Sequence, residues 1–392
     1  MKSHGNKGFD APAVSLIAGV HFLHDVFTAF LAPILPLLIN KFDLSMALAG
    51  TLAVFTQLPS LFSPFFGSLL DRFGFTRRLM VISPAVTSTA ICLVGLMPDY
   101  TALALLLLFG GLGVAGIHLA APVVVAEFSG DELGKGTSLF MVAGELARTA
   151  GPLLAVGAVS LFGLEGLWML LPVGVGASLL AWSRVRRMPR RNDAPGAGDR
   201  GTGTGMFLAL WKMKRTVLAV AGIMAARACV SASVTVYLPT LLYEKGQSLA
   251  VGGGALSLFE LAGSLGAYVA GTVSDRLGRR LVLFVTMSAA PTLMLLFLWS
   301  SGALVVIFLL AMGFFVLGTT PVALAVMLET TDNNKALASG MFMTVGFALR
   351  SVLVPAFGAL SDSVGLDAAY HVFAVAAYLG LPFLLFLGRK TR

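Results

Sequence analysis

The sequence predicts an all-α membrane protein, with twelve transmembrane helices arranged as two pseudo-symmetric six-helix bundles. Three observations lead there. Of the 392 residues, 57% are apolar and 12% charged, with a mean hydropathy of +0.89. An ordinary soluble domain has about 45–50% and about 25%. Apolar runs of about 20 residues, long enough to cross about 30 Å of hydrocarbon, recur along the whole chain. A glycine-bounded turn carrying one acid and several arginines occurs twice, as Gly67-Ser-Leu-Leu-Asp71-Arg72-Phe-Gly74-Phe-Thr-Arg77-Arg78 and as Gly271-Thr-Val-Ser-Asp275-Arg276-Leu-Gly278-Arg279-Arg280. Solenoid repeats recur every 20 to 50 residues or so. A repeat of about half the chain means two similar half-molecules.

The first six spans are read at 13–39, 46–70, 79–98, 101–127, 136–162 and 164–184. The second six fall at 216–243, 249–273, 280–300, 303–328, 335–361 and 367–388. Residues 1–184 therefore form one bundle and 216–392 the other. The stretch 185–215 is a polar linker, with arginines leading into a Pro/Gly-rich segment (Pro195 to Gly205) that reads as flexible. The twelve residues before the first span are polar, and no cleavable signal peptide is read in them.

Basic residues in loops set orientation. The loops on the side of the N-terminus hold 22 Lys and Arg, and the opposite loops hold only Lys41 and Lys245. Both termini and the linker are thus expected in the cytoplasm, in a bacterial-type inner (plasma) membrane. The net charge of +8 is a topology signal and not a nucleic-acid footprint, and a monomer in the lipid bilayer is expected. Cys92 and Cys229 both lie inside apolar runs, which gives neither a disulfide framework nor a metal-ligand spacing.

The halves match beyond the turn. Phe140-Met141, Gly144 and Arg148 parallel Phe342-Met343, Gly346 and Arg350, and Glu127 parallels Glu329, all 202 residues apart. Ala18-Gly19 and Pro36 parallel Ala221-Gly222 and Pro239 at 203, which sets His24 against Arg227. Two parallel six-helix halves with a site between them is a transporter plan.

With these residues in view, the chain resembles the major facilitator superfamily over essentially its whole length. The doubled turn matches that superfamily's loop signature. Within it, the chain is similar to the fosmidomycin-resistance group, which are drug/H⁺ antiporters. The similar stretches are Val20-His21-Phe22 with Asp25, Gly113 to His118, Ser138-Leu-Phe140, Gly151-Pro152-Leu153-Leu154 and Ser339-Gly-Met-Phe342. It departs after His118, where Leu119-Ala120 stands in place of that group's Pro-Glu, so the substrate does not carry over. Gly144 to Gly151-Pro152 resembles the glycine–proline motif associated with antiporters of the superfamily.

Ionisable residues at mid-membrane depth are costly, about 2.5–3.5 kcal/mol each, and usually face a cavity or a partner. Here they are Asp25, Glu145, Arg148, Arg227, Glu260 and Arg350, with His21, His24, Gln57 and His118 at similar depth. His21, His24, Asp25 and Thr28 share one helix face by their i, i+3, i+4, i+7 spacing. Histidine titrates near neutral pH, and a carboxylate in a poorly hydrated cavity holds its proton more tightly. Asp25, His24 and His21, with Glu145 and Glu260, are therefore the candidate proton-coupling groups. The plainer account of the stripe is hydrogen bonding to neighbouring helices. Arg148, Arg227 and Arg350, with His118 and Gln57, are the candidate binding residues for an anionic substrate, since guanidinium forks suit carboxylate and phosphate. Here the plainer account pairs Arg148 with Glu145 and Arg350 with Glu260.

Glu127 and Glu329 fall at the depth of the arginine-rich turns. Pairing with Arg72, Arg77 or Arg276 is expected, making a gating latch from Gly67, Asp71, Arg72, Gly74, Arg77, Arg78, Glu127, Asp275, Arg276, Arg279, Arg280 and Glu329. No His-Glu-x-x-His, Gly-x-Ser-x-Gly or Walker-type loop occurs, so neither an enzyme nor a metal or cofactor is expected. The expected activity is proton-coupled export of a small anionic or zwitterionic compound, by two bundles rocking about a midplane cavity. Proton-linked uptake of an organic anion and a non-transporting receptor are the alternatives.

Overall fold

The computed structural model describes residues 8–63, 75–188, 203–330 and 335–387. Gly67, Asp71, Arg72 and Gly74 of the first turn, and the middle of the expected linker, lie outside the described residues. The described residues are helical throughout their ordered elements, without a strand. The helices are α1 (Ala11–Thr28), α2 (Leu31–Phe42), α3 (Met46–Phe55), α4 (Thr76–Cys92), α5 (Tyr100–Ser129), α6 (Leu133–Phe162) and α7 (Leu171–Val185). They continue with α8 (Gly203–Glu244), α9 (Leu249–Leu277), α10 (Arg279–Trp299), α11 (Ala303–Glu329), α12 (Lys335–Val364) and α13 (Leu366–Ala377). Short 3₁₀ segments at Glu165–Leu170 and Tyr378–Phe386 extend α7 and α13.

Among the described residues ten helical stretches are long and apolar enough to cross a membrane. The shorter Met46–Phe55 and Thr76–Cys92 stand where the second and third spans are expected, an arrangement consistent with twelve. Large apolar side chains face outward: Leu161 is 77% exposed, Tyr268 75% and Trp299 71%. Water would not tolerate so many. Lipid tails do, because they are as apolar as the side chains themselves.

Three boundaries differ from the sequence reading. The first span is two helices, broken at Ala29–Phe30, because Pro33 has no N–H to return to the Ala29 carbonyl. The second breaks after Phe55 and passes into a 3₁₀ turn at Leu58–Phe62. Helix α8 begins at Gly203, inside the expected linker. Lys212, Lys214 and Arg215 end a hydrophobic run but are good helix formers, so the helix continues where the hydrocarbon-length pattern stops.

Two units emerge, Met1–Leu38 with Phe55–Gly198, and Ile39–Val54 with Asp199–Arg392. In the first, α4 lies against α5 and α7, and α1 against α6, α5 and α4. Glycines bring these helices together. A side chain at Gly113 would meet the Ser83 carbonyl at 2.8 Å, and one at Gly151 the Val26 carbonyl at 2.9 Å. In the second unit α9 packs along α11, where Gly266 faces the Phe314 backbone and Gly313 the Phe259 backbone. Asp10 and Asp99 begin α1 and α5 by accepting from Ala13 N at 3.1 Å and Ala102 N at 2.9 Å.

Residues 39–54 belong to the second unit through a specific clasp. Asp362 accepts from the backbone N–H of Met46 at 2.6 Å and of Ala47 at 2.9 Å, capping the start of α3. The Tyr237 hydroxyl donates to the Met46 carbonyl at 2.8 Å. Gly50 and Gly358 leave the space that this phenol fills. Replacing Asp362 with Ala should lower thermal stability in detergent by about 0.5–2 kcal/mol, the usual loss for a helix cap. Asp362→Asn, which keeps an acceptor oxygen, should lose less.

Candidate functional site

The first unit encloses a cluster built on one face of α1. His21, His24 and Asp25 are 4%, 0% and 3% exposed, and α4, α5 and α6 cover them. The His24 Nδ1 lies 2.8 Å from Asp25 Oδ1, and its Nε2 lies 2.9 Å from Thr87 Oγ1 on α4. Thr87 donates its own hydroxyl hydrogen to the Gly110 carbonyl on α5 at 3.2 Å. The Thr87 oxygen therefore accepts from a protonated His24 Nε2. The remaining ring nitrogen and Asp25 Oδ1 then share one proton, either on an imidazolium beside a carboxylate or on a carboxylic acid beside a neutral ring.

His21 is fixed differently. Its Nδ1 donates to the Phe140 carbonyl at 3.0 Å, and its ring stacks on that of Phe140 at 3.9 Å. A carbonyl only accepts, so Nδ1 carries the hydrogen and the Nε2 of the neutral ring carries a lone pair. That Nε2 is buried 3.1 Å from Asp25 Oδ2, within hydrogen-bonding reach once a proton lies between them. His118 arrives from α5, its Nε2 3.7 Å from Asp25 Oδ1, and its side chain is 44% exposed. Thr28, on the same helix face, turns back to the Asp25 carbonyl at 2.8 Å and takes no part in the cluster.

Gly144 on α6 makes this possible. A Cβ there would stand 2.7 Å from His21 Cε1 and 3.3 Å from both His21 Nε2 and Asp25 Oδ2. One turn along α6, Arg148 pairs with Glu145, both partly exposed. Gln57 caps the 3₁₀ turn at Leu58–Phe62, where its backbone carbonyl accepts from Ser60 N at 2.9 Å.

The second unit places Arg227 and Arg350 beside one face of α8. Arg227 Nε donates to the Val316 carbonyl on α11 at 3.1 Å, and Nη1 reaches Ser231 Oγ at 3.5 Å. Arg350 Nη1 donates to Thr235 Oγ1 at 3.0 Å. Ser231 and Thr235, which the sequence reading passed over, thus join the two arginines; the i, i+4, i+8 spacing from Arg227 was the available signal. Thr87 and the Phe140 carbonyl were also missed. Glu260 is buried on α9.

The turn arginines form matching pairs. Arg77 grips Glu127 with two guanidinium nitrogens, one Nε–Oε2 contact being 3.2 Å, and donates to the Met188 carbonyl at 3.0 Å. Arg279 grips Glu329 at 3.1 and 2.8 Å and meets Asp275 at 2.6 Å. Each pair lies within one unit. Arg78 stands over the Phe75 ring, and Arg276 and Arg280 are exposed. The partner of Glu329 is Arg279 and not the expected Arg276, because Arg276 lies on α9 facing outward while Arg279 starts α10 beside α11.

Ionisable groups held inside two related helical units that cross a membrane define the class of polytopic membrane transporters. The family model of the Major Facilitator Superfamily matches residues 17–348 and 220–392, and the chain belongs to that superfamily. It is a multi-pass membrane transporter of small molecules and not an enzyme. The fosmidomycin resistance protein of Escherichia coli (strain K12) is 24% identical over 371 residues, covering 92% of this chain and 89% of that protein. The uncharacterized MFS-type transporter YfnC of Bacillus subtilis (strain 168) is 22% identical over 394 residues, covering 97% and 94%. Among solved structures, a bacterial homologue of the human lysosomal transporter Spinster, inward-facing and occupied, matches with a TM-score of 0.80 at 14% identity, covering 99% of this chain and 98% of that one. The nucleoside transporter NupG matches with a TM-score of 0.79 at 14% identity, covering 96% and 100%. These two likenesses concern the fold.

Gly144→Ala should destabilise the protein by about 1–3 kcal/mol, the usual range for overpacking a tight contact. Gly157→Ala on the same helix, with nothing within 4 Å of its would-be Cβ, should be neutral. Thermal unfolding of the two variants in one detergent compares them directly.

Proposed function

We propose that the protein exports a small anionic or zwitterionic compound in exchange for protons, by alternating access in a bacterial inner membrane. One observation carries this reading: the Asp25 carboxylate is sealed among His21, His24 and His118, of which only His118 is substantially exposed. A carboxylate in such a place stays only if its charge is met by a proton or a cation. Two of its three imidazole neighbours are held in fixed orientations by Thr87 and Phe140. A proton entering through His118 reaches Asp25 across 3.7 Å and passes to a group that water does not touch.

Arg148, Arg227 and Arg350 supply the positive charge for the substrate. Ser231 and Thr235 orient two of them, and Glu145 and Glu260 are the acids that balance the layer. The resistance named for the Escherichia coli relative supports outward movement of a drug-like compound. The 22 basic residues in loops on the N-terminal side support cytoplasmic termini. A monomer suffices for this cycle, and the paired turn arginines stiffen each unit as it moves.

In proteoliposomes, Asp25→Asn should abolish substrate-driven proton flux while leaving substrate counterflow intact. Persisting proton flux in that variant would remove Asp25 from the coupling site. Arg350→Lys, which keeps the charge but loses the planar fork, should weaken anion binding about tenfold. Unchanged affinity, measured by calorimetry, would take Arg350 out of the substrate site.

A further inference from the structure

We propose that His21, Asp25 and His118 form a binding site for a divalent first-row transition metal ion of the zinc type, and that the ion inhibits transport by occupying the place of the proton. Residue spacing does not point to it, because His118 lies 93 residues from Asp25 on another helix. The site stands on geometry alone. Only its inhibitory consequence rests on the transport reading above.

The three donor atoms lie within 4.8 Å of one another. His21 Nε2 is 3.1 Å from Asp25 Oδ2, and His118 Nε2 is 3.7 Å from Asp25 Oδ1. Tetrahedral zinc with bonds of about 2.0–2.1 Å separates its ligand atoms by about 3.3 Å, and these two distances bracket that value. The third edge, between the two histidine donors, is no longer than 4.8 Å, and His118 is the one donor with an exposed side chain.

The orientation of His21 is that of a metal ligand. Its Nε2 is buried and faces the carboxylate at 3.1 Å, where a proton or a cation can lie between them. Its other ring nitrogen donates to the Phe140 carbonyl, the outer contact that metal-bound histidines ordinarily make and that aims the lone pair at the ion. Gly144 keeps the space before these atoms clear, since a Cβ would lie 3.3 Å from both His21 Nε2 and Asp25 Oδ2. His24 holds the carboxylate from behind at 2.8 Å.

Two imidazoles and one carboxylate favour zinc, copper, nickel or cobalt over magnesium and calcium, which prefer all-oxygen ligands. Three protein ligands leave a fourth tetrahedral position for water or an anion. The charged groups facing the site are few. His24 on α1 hydrogen-bonds Asp25, and Arg148 on α6 acts on His118 but is paired with Glu145. From α4, the Thr87 hydroxyl holds His24 behind the carboxylate. Protons and the metal use the same lone pairs, so acid opposes binding.

The test uses purified, metal-stripped full-length protein carrying no histidine tag. Zn²⁺ at micromolar concentration should raise the melting temperature at pH 7.5 and much less at pH 5.5, and Mg²⁺ should do neither. Calorimetry should give one site, weakened at least tenfold by His118→Ala and unchanged by His371→Ala, which removes the surface histidine beside Asp367. His118 is half-exposed, so that variant should fold; Asp25→Asn should lose the site as well. Absence of a zinc-dependent shift, or zinc binding that His118→Ala leaves intact, would overturn the proposal. Zinc binding without inhibition of substrate flux in proteoliposomes would overturn its competition with the proton. Loss of zinc binding alone, with proton coupling still dependent on Asp25, would leave the transport reading standing.

Discussion

A carboxylate inside a helical bundle in a membrane has no water to solvate it, and the arrangement around Asp25 answers that constraint. Burying an uncompensated charge costs far more than any single packing contact supplies. The structure surrounds Asp25 with three imidazoles rather than one arginine. An arginine would hold the carboxylate charged permanently. An imidazole, unlike a guanidinium, can be neutral or charged and can donate or accept, so the same contacts serve more than one charge state. The fixed orientation of two rings, through Phe140 and Thr87, keeps the donor geometry in place while the charge changes.

The two units solve similar problems with different residues. His24 and Arg227 occupy corresponding positions, and each reaches toward a carbonyl on another helix of its own unit, His24 through Thr87 to Gly110 on α5 and Arg227 directly to Val316 on α11. The first solution is titratable and the second is permanently charged. By contrast, the Arg77–Glu127 and Arg279–Glu329 pairs are near copies, down to the 50 residues separating partners. The two units share the same brace and differ in their interior chemistry.

Close approach of helices underlies both. In lipid no hydrophobic force drives apolar helices together, and contact relies on fit and on polar groups meeting across the gap. Gly144 and Gly151 bring α6 onto α1, and Gly113 brings α5 onto α4. A larger side chain at any of these sites would separate the atoms whose distances define the cluster. The glycines therefore shape the site without taking part in its chemistry.

Composition and the doubled turn were enough to establish a helical membrane protein with an internal repeat, because hydrocarbon length and loop charge act on sequence directly. The candidate residues were legible for the same reason: a charge at mid-depth is conspicuous against an apolar run. Prolines, whose missing N–H acts locally, also mark the break at Ala29–Phe30 in retrospect. Partner choice was not legible. That His118 meets Asp25, that His21 is steered by a backbone carbonyl of α6, and that Glu329 takes Arg279 and not Arg276 depend on how each helix is rotated and where it crosses its neighbour. Those angles are settled by packing among residues far apart in the chain, so only the tertiary structure decided which charges face one another.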